Sequence, residues 1–314
     1  MEEAQGDDDD DVFFYMGGDQ QLPDGVRRAK IHKSVKIVRA RAFKGRRHLI
    51  SVEFHDGVEI IEEEAFHGCH SLRSVKLQGV KSIKKRAFSQ CYSLTDAEFD
   101  DKLETIEQSA FNSTALKNIK IPSVRTIGMQ AFYNCVELSD VECGKLLETL
   151  QSFAFADCHK LERVAMPLKD DMIGGNHVFG NCSKLISVDL VGGIHKTVAS
   201  LHLESWRNEM NNEINRINQT LPTIRGKTGE IQQWIRSVIE RLDHYKAEHH
   251  TLLKEATTLL ELALWKANLS DNDGGEGEGV LLACESRKRA RKEICVTSGA
   301  DVVIKNVLPF LILK

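Results

Sequence analysis

Seven of the 13 phenylalanines recur at nearly constant spacing: Phe43, Phe66, Phe88, Phe111, Phe132, Phe155 and Phe179, in steps of 23, 22, 23, 21, 23 and 24 residues. Six of them follow Ala, and the last follows Val178. An aliphatic residue stands five positions before each of the first six: Val38, Ile61, Ile83, Ile106, Ile127 and Leu150. Ile173 stands six before Phe179. Downstream come Leu49, Leu72, Leu94, Leu116, Leu138, Leu161 and Leu185, each followed three residues later by Val52, Val75, Ala97, Ile119, Val141, Val164 or Val188. Two further on lie Phe54, Leu77, Phe99, Ile121, Cys143, Met166 and Leu190. The consensus is I-x4-AF-x2-C-x2-L-x2-V-x-L. Self-similarity at such a period dictates a stacked repeat architecture.

The unit's physics follows from its spacing. The V-x-L ending alternates with period two, so both residues face one side of a short strand. The I-x4-AF segment is expected to be a tight turn or short helix closing the coil behind that strand. One unit cannot bury its own Leu, Val and Phe; stacked units can, with a parallel sheet along one face. The 41% hydrophobic fraction is sufficient for such a core. A formal net charge of −4 excludes a generally basic nucleic-acid binder and a strongly acidic disordered chain. No run approaches the roughly 18 apolar residues of a membrane span, and the acidic N-terminus does not read as a signal peptide. The eight cysteines are therefore expected as thiols in a reducing, intracellular compartment, cytoplasmic or nuclear.

These residues resemble the BspA-type leucine-rich repeat, which uses the same signature. The whole chain resembles a diatom family of leucine-rich-repeat proteins. The motifs that carry this are VFFYMGGD (12–19), KSVKIVRARAF (33–43), SVEFHDGVEIIEEEAF (51–66), DLVGGIHKTVASLHLESWRNEM (189–210), LLKEATTLLELALWKANL (252–269) and RKRARKEICVTSGADVVIKNVLPFL (287–311). The resemblance implies a repeat protein of interaction function, with no known catalytic residues.

The strand pattern extends upstream: Val26, Ala29 and Ile31 match the motif, so Val26–His32 is expected as a degenerate first strand and N-terminal cap. The outward residue between V and L reads Lys30, Glu53, Lys76, Glu98, Lys120, Glu142, Ala165, Asp189 down the stack. Strict alternation over six rungs places each Lys between two Glu, as an internal ladder or a charged docking strip. The neighbouring outward column is Arg28, Ser51, Ser74, Asp96, Asn118, Asp140, Arg163, Ser187. Its polar centre, Asp96–Asn118–Asp140, is the more plausible contact patch. With Lys76, Glu98, Lys120 and Glu142 it forms the expected binding set on the concave sheet.

After Leu190, Gly192-Gly193 breaks the coil and a helical pattern starts near Thr197: Leu203, Met210, Ile214, Ile217 and Leu221, with Trp206 beside them. Pro222 and Gly226–Gly229 mark a turn. A second helix is expected from about Thr228 to Leu269, with a 4-3 seam of Ile231, Ile235, Val238, Leu242, Tyr245, His249, Leu252, Ala256, Leu259 and Ala263. Its excess length leaves Leu252, Leu253, Leu259, Leu260 and Trp265 needing a cover. The apolar segment Val302–Leu313 folding back is favoured over a second chain, so a monomer is favoured over a homodimer. Residues 270–286 read as an acidic flexible linker. Arg287, Lys288, Arg289, Arg291 and Lys292 form a basic cluster that could act in nuclear import or contact nucleic acid.

Other constellations fail on spacing. Cys69, Cys91, Cys135, Cys158 and Cys182 stand three after the repeat Phe, where Arg46 and Thr114 substitute, which suits packing better than metal binding. No C-x2-C pair occurs. Gly226-Lys227-Thr228 lacks the earlier glycine of a phosphate loop, since position 221 is Leu. Thr228 and Glu230 suit a helix start, capping its amides. His244, His249 and His250 lack metal-helix spacing. The resulting expectation is an α/β repeat: a leucine-rich-repeat solenoid (21–196) after an acidic, partly disordered segment (1–20). An α-helical hairpin or coiled coil (197–269), the linker (270–286) and a basic, apolar tail (287–314) follow. The function expected is a non-catalytic protein-binding scaffold without metal or cofactor. The alternative is a nuclear or nucleic-acid-associated factor using residues 287–292.

Overall fold

A computed structural model of the chain describes residues 12–18, 20, 22–191 and 204–270. Each repeat is one coil of a parallel solenoid. The V-x-L segments form β1 (Val12–Tyr15), β2 (Arg28–Ile31), β4 (Ser51–Glu53), β6 (Ser74–Leu77) and β8 (Asp96–Phe99) in one five-stranded sheet. They continue as β10 (Asn118–Ile121), β12 (Asp140–Cys143), β14 (Arg163–Met166) and β15 (Ser187–Leu190) in a second, four-stranded sheet. Register is one repeat per strand: Val75 pairs with Ala97, Ile119 with Val141 and Val164 with Val188. The aliphatic residue before each Phe does not begin the turn, as expected from spacing, but closes a strand of its own. β3 (Ile37–Val38), β5 (Ile60–Ile61), β7 (Ser82–Ile83), β9 (Thr105–Ile106), β11 (Thr126–Ile127) and β13 (Thr149–Leu150) build a six-stranded parallel sheet. The second residue of each is fully buried.

The A-F segment is a turn, and its amides alternate in destination. The Ala42, Lys44 and Arg46 amides donate within their own coil, to Arg39, Arg41 and Phe43. The Arg41, Phe43 and Gly45 amides donate to the next coil, to Glu63, Ala65 and His67. That alternation requires left-handed backbone on both sides of the Phe. Arg41, Glu64, Arg86, Ser109, Gln130, Phe153 and His177 precede it by two residues with positive φ. Gly45, Gly68, Gln90, Ser113, Asn134, Asp157 and Asn181 follow it by two, also with positive φ. A non-glycine residue there costs about 1–2 kcal/mol, and the inter-coil ladder holds it in place.

The repeat phenylalanines stack through the core. Ring centroids of successive members lie 4.7 to 5.9 Å apart and nearly parallel, and Phe88 and Phe132 each touch both neighbours as expected. The rung at Val26–His32 is not the outermost. Val12–Tyr15, inside the segment expected to be acidic and partly disordered, pairs in parallel with β2. Tyr15 extends the ring stack, 5.1 Å from Phe43. Val12, Phe13, Phe14 and Tyr15 carry enough apolar surface to close the stack despite the acidic run before them.

Among the described residues two helices follow, α1 (Glu204–Thr220) and α2 (Lys227–Ser270), joined through a 3-10 turn at Leu221–Thr223. The chain divides into two compact units, one ending at Ile239 and the other starting at Glu240. Within the first, α1 buries Trp206, Met210, Glu213 and Ile217. Glu213 takes the inward place expected for Ile214, which is half-buried, and its carboxylate meets Arg216 at 3.0 Å. Trp234 lies outside the expected seam, yet it is fully enclosed and its indole N–H donates to the Glu213 carbonyl. Ile231, Ile235 and Val238 are buried beside it.

Four residues from these helices satisfy backbone groups that the last coil leaves without a following coil. The Phe179 amide donates to Thr228 Oγ1 at 2.9 Å, where earlier coils use the next coil's carbonyl. The Val188 amide donates to Asn218 Oδ1. Lys227 Nζ donates to the Leu185 and Leu221 carbonyls, and Gln232 Nε2 to Ile173. Thr228 therefore caps the solenoid rather than its own helix. Buried polar backbone has to be paired somewhere, and the Gly226-Lys227-Thr228 sequence serves that need. In the second unit, α2 buries Leu242 and Tyr245 and then exposes Leu252, Leu259, Leu260, Leu262 and Trp265, the last at 68%. Ser270, expected to open the linker, ends α2; Gly192, Gly193, Leu203, the rest of the linker (271–286), the basic cluster and Val302–Leu313 lie outside the described residues.

Candidate functional site

The outward residues of the strand sheets are where a repeat of this kind can offer side chains to another molecule. In the expected charge strip every lysine pairs with the glutamate of the following rung. Lys30 meets Glu53 at 2.7 Å, and Lys76–Glu98 and Lys120–Glu142 each close at 3.1 Å. Such exposed pairs contribute about 0.2–1 kcal/mol each. The expected contact patch is partly engaged as well. Asn118 Oδ1 accepts from the Ser139 hydroxyl. Asp140 receives Arg163 at 3.0 Å, and Arg163 also donates to Asp189 at 2.6 Å. The two carboxylates raise the Arg163 pKa. Asp96 is exposed.

The stack is interrupted in its middle. β8 and β10 are sequence neighbours in the repeat, but they belong to different sheets. One residue is missing between Thr114 and Leu116, relative to Cys91 and Leu94 one coil earlier. The shortened corner offsets β10, and a single backbone bond, Lys117 amide to Thr95 carbonyl at 3.4 Å, bridges the coils just before the strands. A groove of about 800 Å³ opens here. It brings together Glu98, Asn118, Lys120, Asp140 and Glu142 of the expected binding set, and leaves Asp96 and Lys76 outside its lining. Ala97, Phe99 and Ile119, read from sequence only as repeat-core positions, and Asp100, Asp101 and Pro122, which sequence reasoning did not single out, complete the walls. The 21-residue step after Phe111 was the available signal, since a short repeat has to disturb the ladder near it. Phe99 is half-buried against Phe111, at 5.7 Å edge-on. Asp100 is tied to the Gly79 and Lys102 amides. The groove is thus weakly apolar at its floor and acidic at its rim.

The repeated cysteines are buried and bond backward along the stack. The Cys69, Cys91, Cys135, Cys158 and Cys182 thiols approach the Phe43, Phe66, Phe111, Phe132 and Phe155 carbonyls at 3.0–3.2 Å. Burial pushes the Cys69 and Cys182 thiols up to about 12, which keeps them protonated. Among the described residues no group of three or more His, Cys, Asp or Glu side chains is arranged to hold a metal ion. No helix there is long and apolar enough to cross a membrane.

The sequence matches the BspA type leucine rich repeat region over residues 25–135 and 114–224, more than half of the chain. The chain belongs to this family. The coil geometry above is therefore that of a BspA-type repeat, with Cys and Phe in fixed packing roles. Similar solved structures include a T. pallidum leucine rich repeat protein, 25% identical with a TM-score of 0.43, over 62% of this chain and 84% of that one. A leucine rich cell surface protein from Faecalibacterium prausnitzii is 22% identical with a TM-score of 0.37, over 57% and 69% of the two chains. A leucine-rich repeat protein from Bacteroides ovatus is 22% identical with a TM-score of 0.39, over 57% and 64%. No curated protein matches this chain.

Proposed function

We propose that this BspA-type repeat protein is a non-catalytic, intracellular scaffold of the diatom-like branch. It binds a protein partner on the outward face of its strand sheets, at the groove between β8 and β10. The observation that carries this reading is the interruption itself. Here the strand ladder breaks, and the half-buried Phe99 and the exposed Pro122 come to a surface rimmed by Glu98, Asp101, Asp140 and Glu142, with the buried Ile119 beneath. The matching partner is a segment with one apolar anchor flanked by lysine or arginine, because Glu98, Asp100, Asp101, Asp140 and Glu142 outnumber the cations that reach them, Lys76, Lys120 and Arg163. Free cysteines buried in the core agree with a reducing compartment.

Peptide-display selection on the full-length chain tests the reading. Selected peptides are expected to carry basic residues around an apolar one, and to lose binding to the double variant Glu98→Lys/Glu142→Lys. Peptides that bind the variant as well as the parent would place the docking surface elsewhere.

A further inference from the structure

A second groove, independent of the acidic one, runs along the edge of the first coils. It measures about 500 Å³ and is lined by Arg27, His48, Ile50, Ser71, Arg73 and Ser93, besides the backbone of Gly25. The lining contains two guanidinium groups and no carboxylate. Its charge has a sequence origin: between Gly25 and Val52 there are ten Lys or Arg residues and no Asp or Glu. Acids on neighbouring coils pair with some of them. Glu53 takes Lys30, Glu64 takes Arg41 and Lys44, and Asp24 takes Arg46. Arg27 and Arg73 are exposed and have no ion pair among the described residues. The Ser71 and Ser93 hydroxyls likewise make no hydrogen bond there.

The spacing of the cations is fixed by backbone. The residue just before each strand is bonded to its counterpart on the next coil. The Ile50 amide donates to Arg27, Arg73 to Ile50, Thr95 to Arg73 and Lys117 to Thr95. Arg27, Arg73 and Lys117 therefore stand on every second coil of one column. Lys117 is also exposed and unpaired among the described residues. Adjacent strands of one sheet lie about 4.8 Å apart, so Arg27 and Arg73 stand roughly 9.6 Å apart; Lys117, past the break between β8 and β10, is held to the column by its 3.4 Å amide bond to Thr95. An extended peptide advances about 3.3 Å per residue, and every third residue recurs at about 10 Å.

We infer that this groove, continued beyond its lining by Lys117, docks an extended acidic protein segment carrying carboxylates at every third residue, laid along the stack over Arg27, Arg73 and Lys117. Arginine presents a planar fork to each carboxylate, and the Ser71 and Ser93 hydroxyls supply donors between them. Nucleic acid fits less well, because no Phe, Tyr or Trp lines the groove and His48 is the one ring there to stack on a base.

The test is fluorescence anisotropy with the full chain and three labelled probes. One is a nonapeptide with Asp at positions 1, 4 and 7 in a Ser/Thr background. The second has the same composition with its three Asp adjacent, which also stands for the chain's own Asp7–Asp11 run. The third is a single-stranded oligonucleotide of similar length. The spaced peptide should bind at least about threefold tighter than the clustered one. Its affinity should fall with added salt as charge screening predicts. It should fall about tenfold or more in Arg27→Glu/Arg73→Glu, and by less in the milder Arg73→Gln. Lys145→Glu, a reversal outside the groove, should leave it unchanged. Thermal unfolding of each variant checks that these surface changes leave the solenoid intact. Equal binding of the two peptides, tighter binding of the oligonucleotide, or indifference to the groove variants would each overturn the inference.

Discussion

One helix holds both extremes of this molecule. From Lys227 to Val238 its apolar residues are enclosed, and Ile231, Trp234 and Val238 are at most 1% exposed. From Glu240 onward the same seam continues through Leu242 and Tyr245, then stands open at Leu252 and Leu259. The two stretches read alike as sequence, since a 4-3 pattern records only which face is apolar. They differ in what they are asked to do. The first stretch answers a geometrical need, because a solenoid must end and its last coil leaves amides and carbonyls without a partner. Thr228, Lys227 and Gln232 meet that need. The second stretch presents Leu259, Leu260, Leu262 and Trp265 to the surface.

The largest test of that contrast sets Trp234 against Trp265. Trp234→Ala removes an enclosed ring and a buried indole bond to the Glu213 carbonyl, and should cost about 3–5 kcal/mol. Phe88→Ala should cost a similar amount, since its ring stacks on Phe66 at 5.0 Å and on Phe111 at 5.2 Å. Urea unfolding midpoints measure both. A Trp234→Ala midpoint equal to that of the parent would mean that the cap is dispensable.

Acid titration probes the repeat itself. Glu64 is nearly buried and receives Lys44 at 2.7 Å and Arg41 at 3.0 Å. The Lys44 hydrogen bond, with Arg41 behind it, lowers its pKa to about 2. The folded value lies below the unfolded one, so this stabilisation is complete above about pH 4.5. It is lost as pH falls toward 2, and amounts to roughly 2–3 kcal/mol. In Glu64→Gln, stability should change less over that window, by about that amount, than in the parent.

What was readable in the sequence divides along the same line. The coil, its strand faces and its ring stack followed from spacing, because identical contacts repeat and only one register buries every Leu, Val and Phe. The strand closing at Val38 and its counterparts was read as part of a turn, since two residues carry no periodicity. The left-handed column before each Phe holds Arg, Glu, Ser, Gln, Phe and His, types that carry no local signal. The column after it, with Gly45, Gly68, Asn134, Asp157 and Asn181, does carry one. Thr228 was read as a helix cap because its real acceptor role serves Phe179, 49 residues away in the chain. The groove between β8 and β10 was signalled only by the short step after Phe111.

A smaller effect isolates the cap's polar contacts from its packing. Thr228→Val keeps the shape and leaves the Phe179 amide buried without an acceptor, which should cost about 1–3 kcal/mol. Hydrogen exchange should speed up at Phe179 before it does at Phe132, whose amide donates to the Ala154 carbonyl of the next coil. Smaller still is the outward ladder. Lys76→Glu with Lys120→Glu would place glutamate on five consecutive rungs from Glu53 to Glu142. The loss should be about 1–2 kcal/mol, from two broken exposed pairs and new repulsion, and salt should partly restore it. Unchanged stability together with loss of a bound partner would make the strip a docking element instead.

The smallest expected change in stability belongs to the open end of α2. Trp265→Ala and Leu259→Ser act on side chains 68% and 67% exposed, and each should alter unfolding by about 0.5 kcal/mol or less. Their effect should appear in association instead. Five large apolar residues between Leu252 and Trp265 form a surface that water disfavours. If Val302–Leu313 supplies the cover, the full chain sediments as a monomer, and deleting residues 301–314 makes it self-associate. Adding Trp265→Ala and Leu259→Ser to the deletion should then return it to a monomer, because the same surface drives the contact. A full chain that sediments as a dimer, and stays one after the deletion, assigns that face to a second copy. In that case the two substitutions alone should dissociate it. Either result separates the open stretch of the helix from the stretch that closes the solenoid, where no change in protein concentration should alter the cost of losing Trp234.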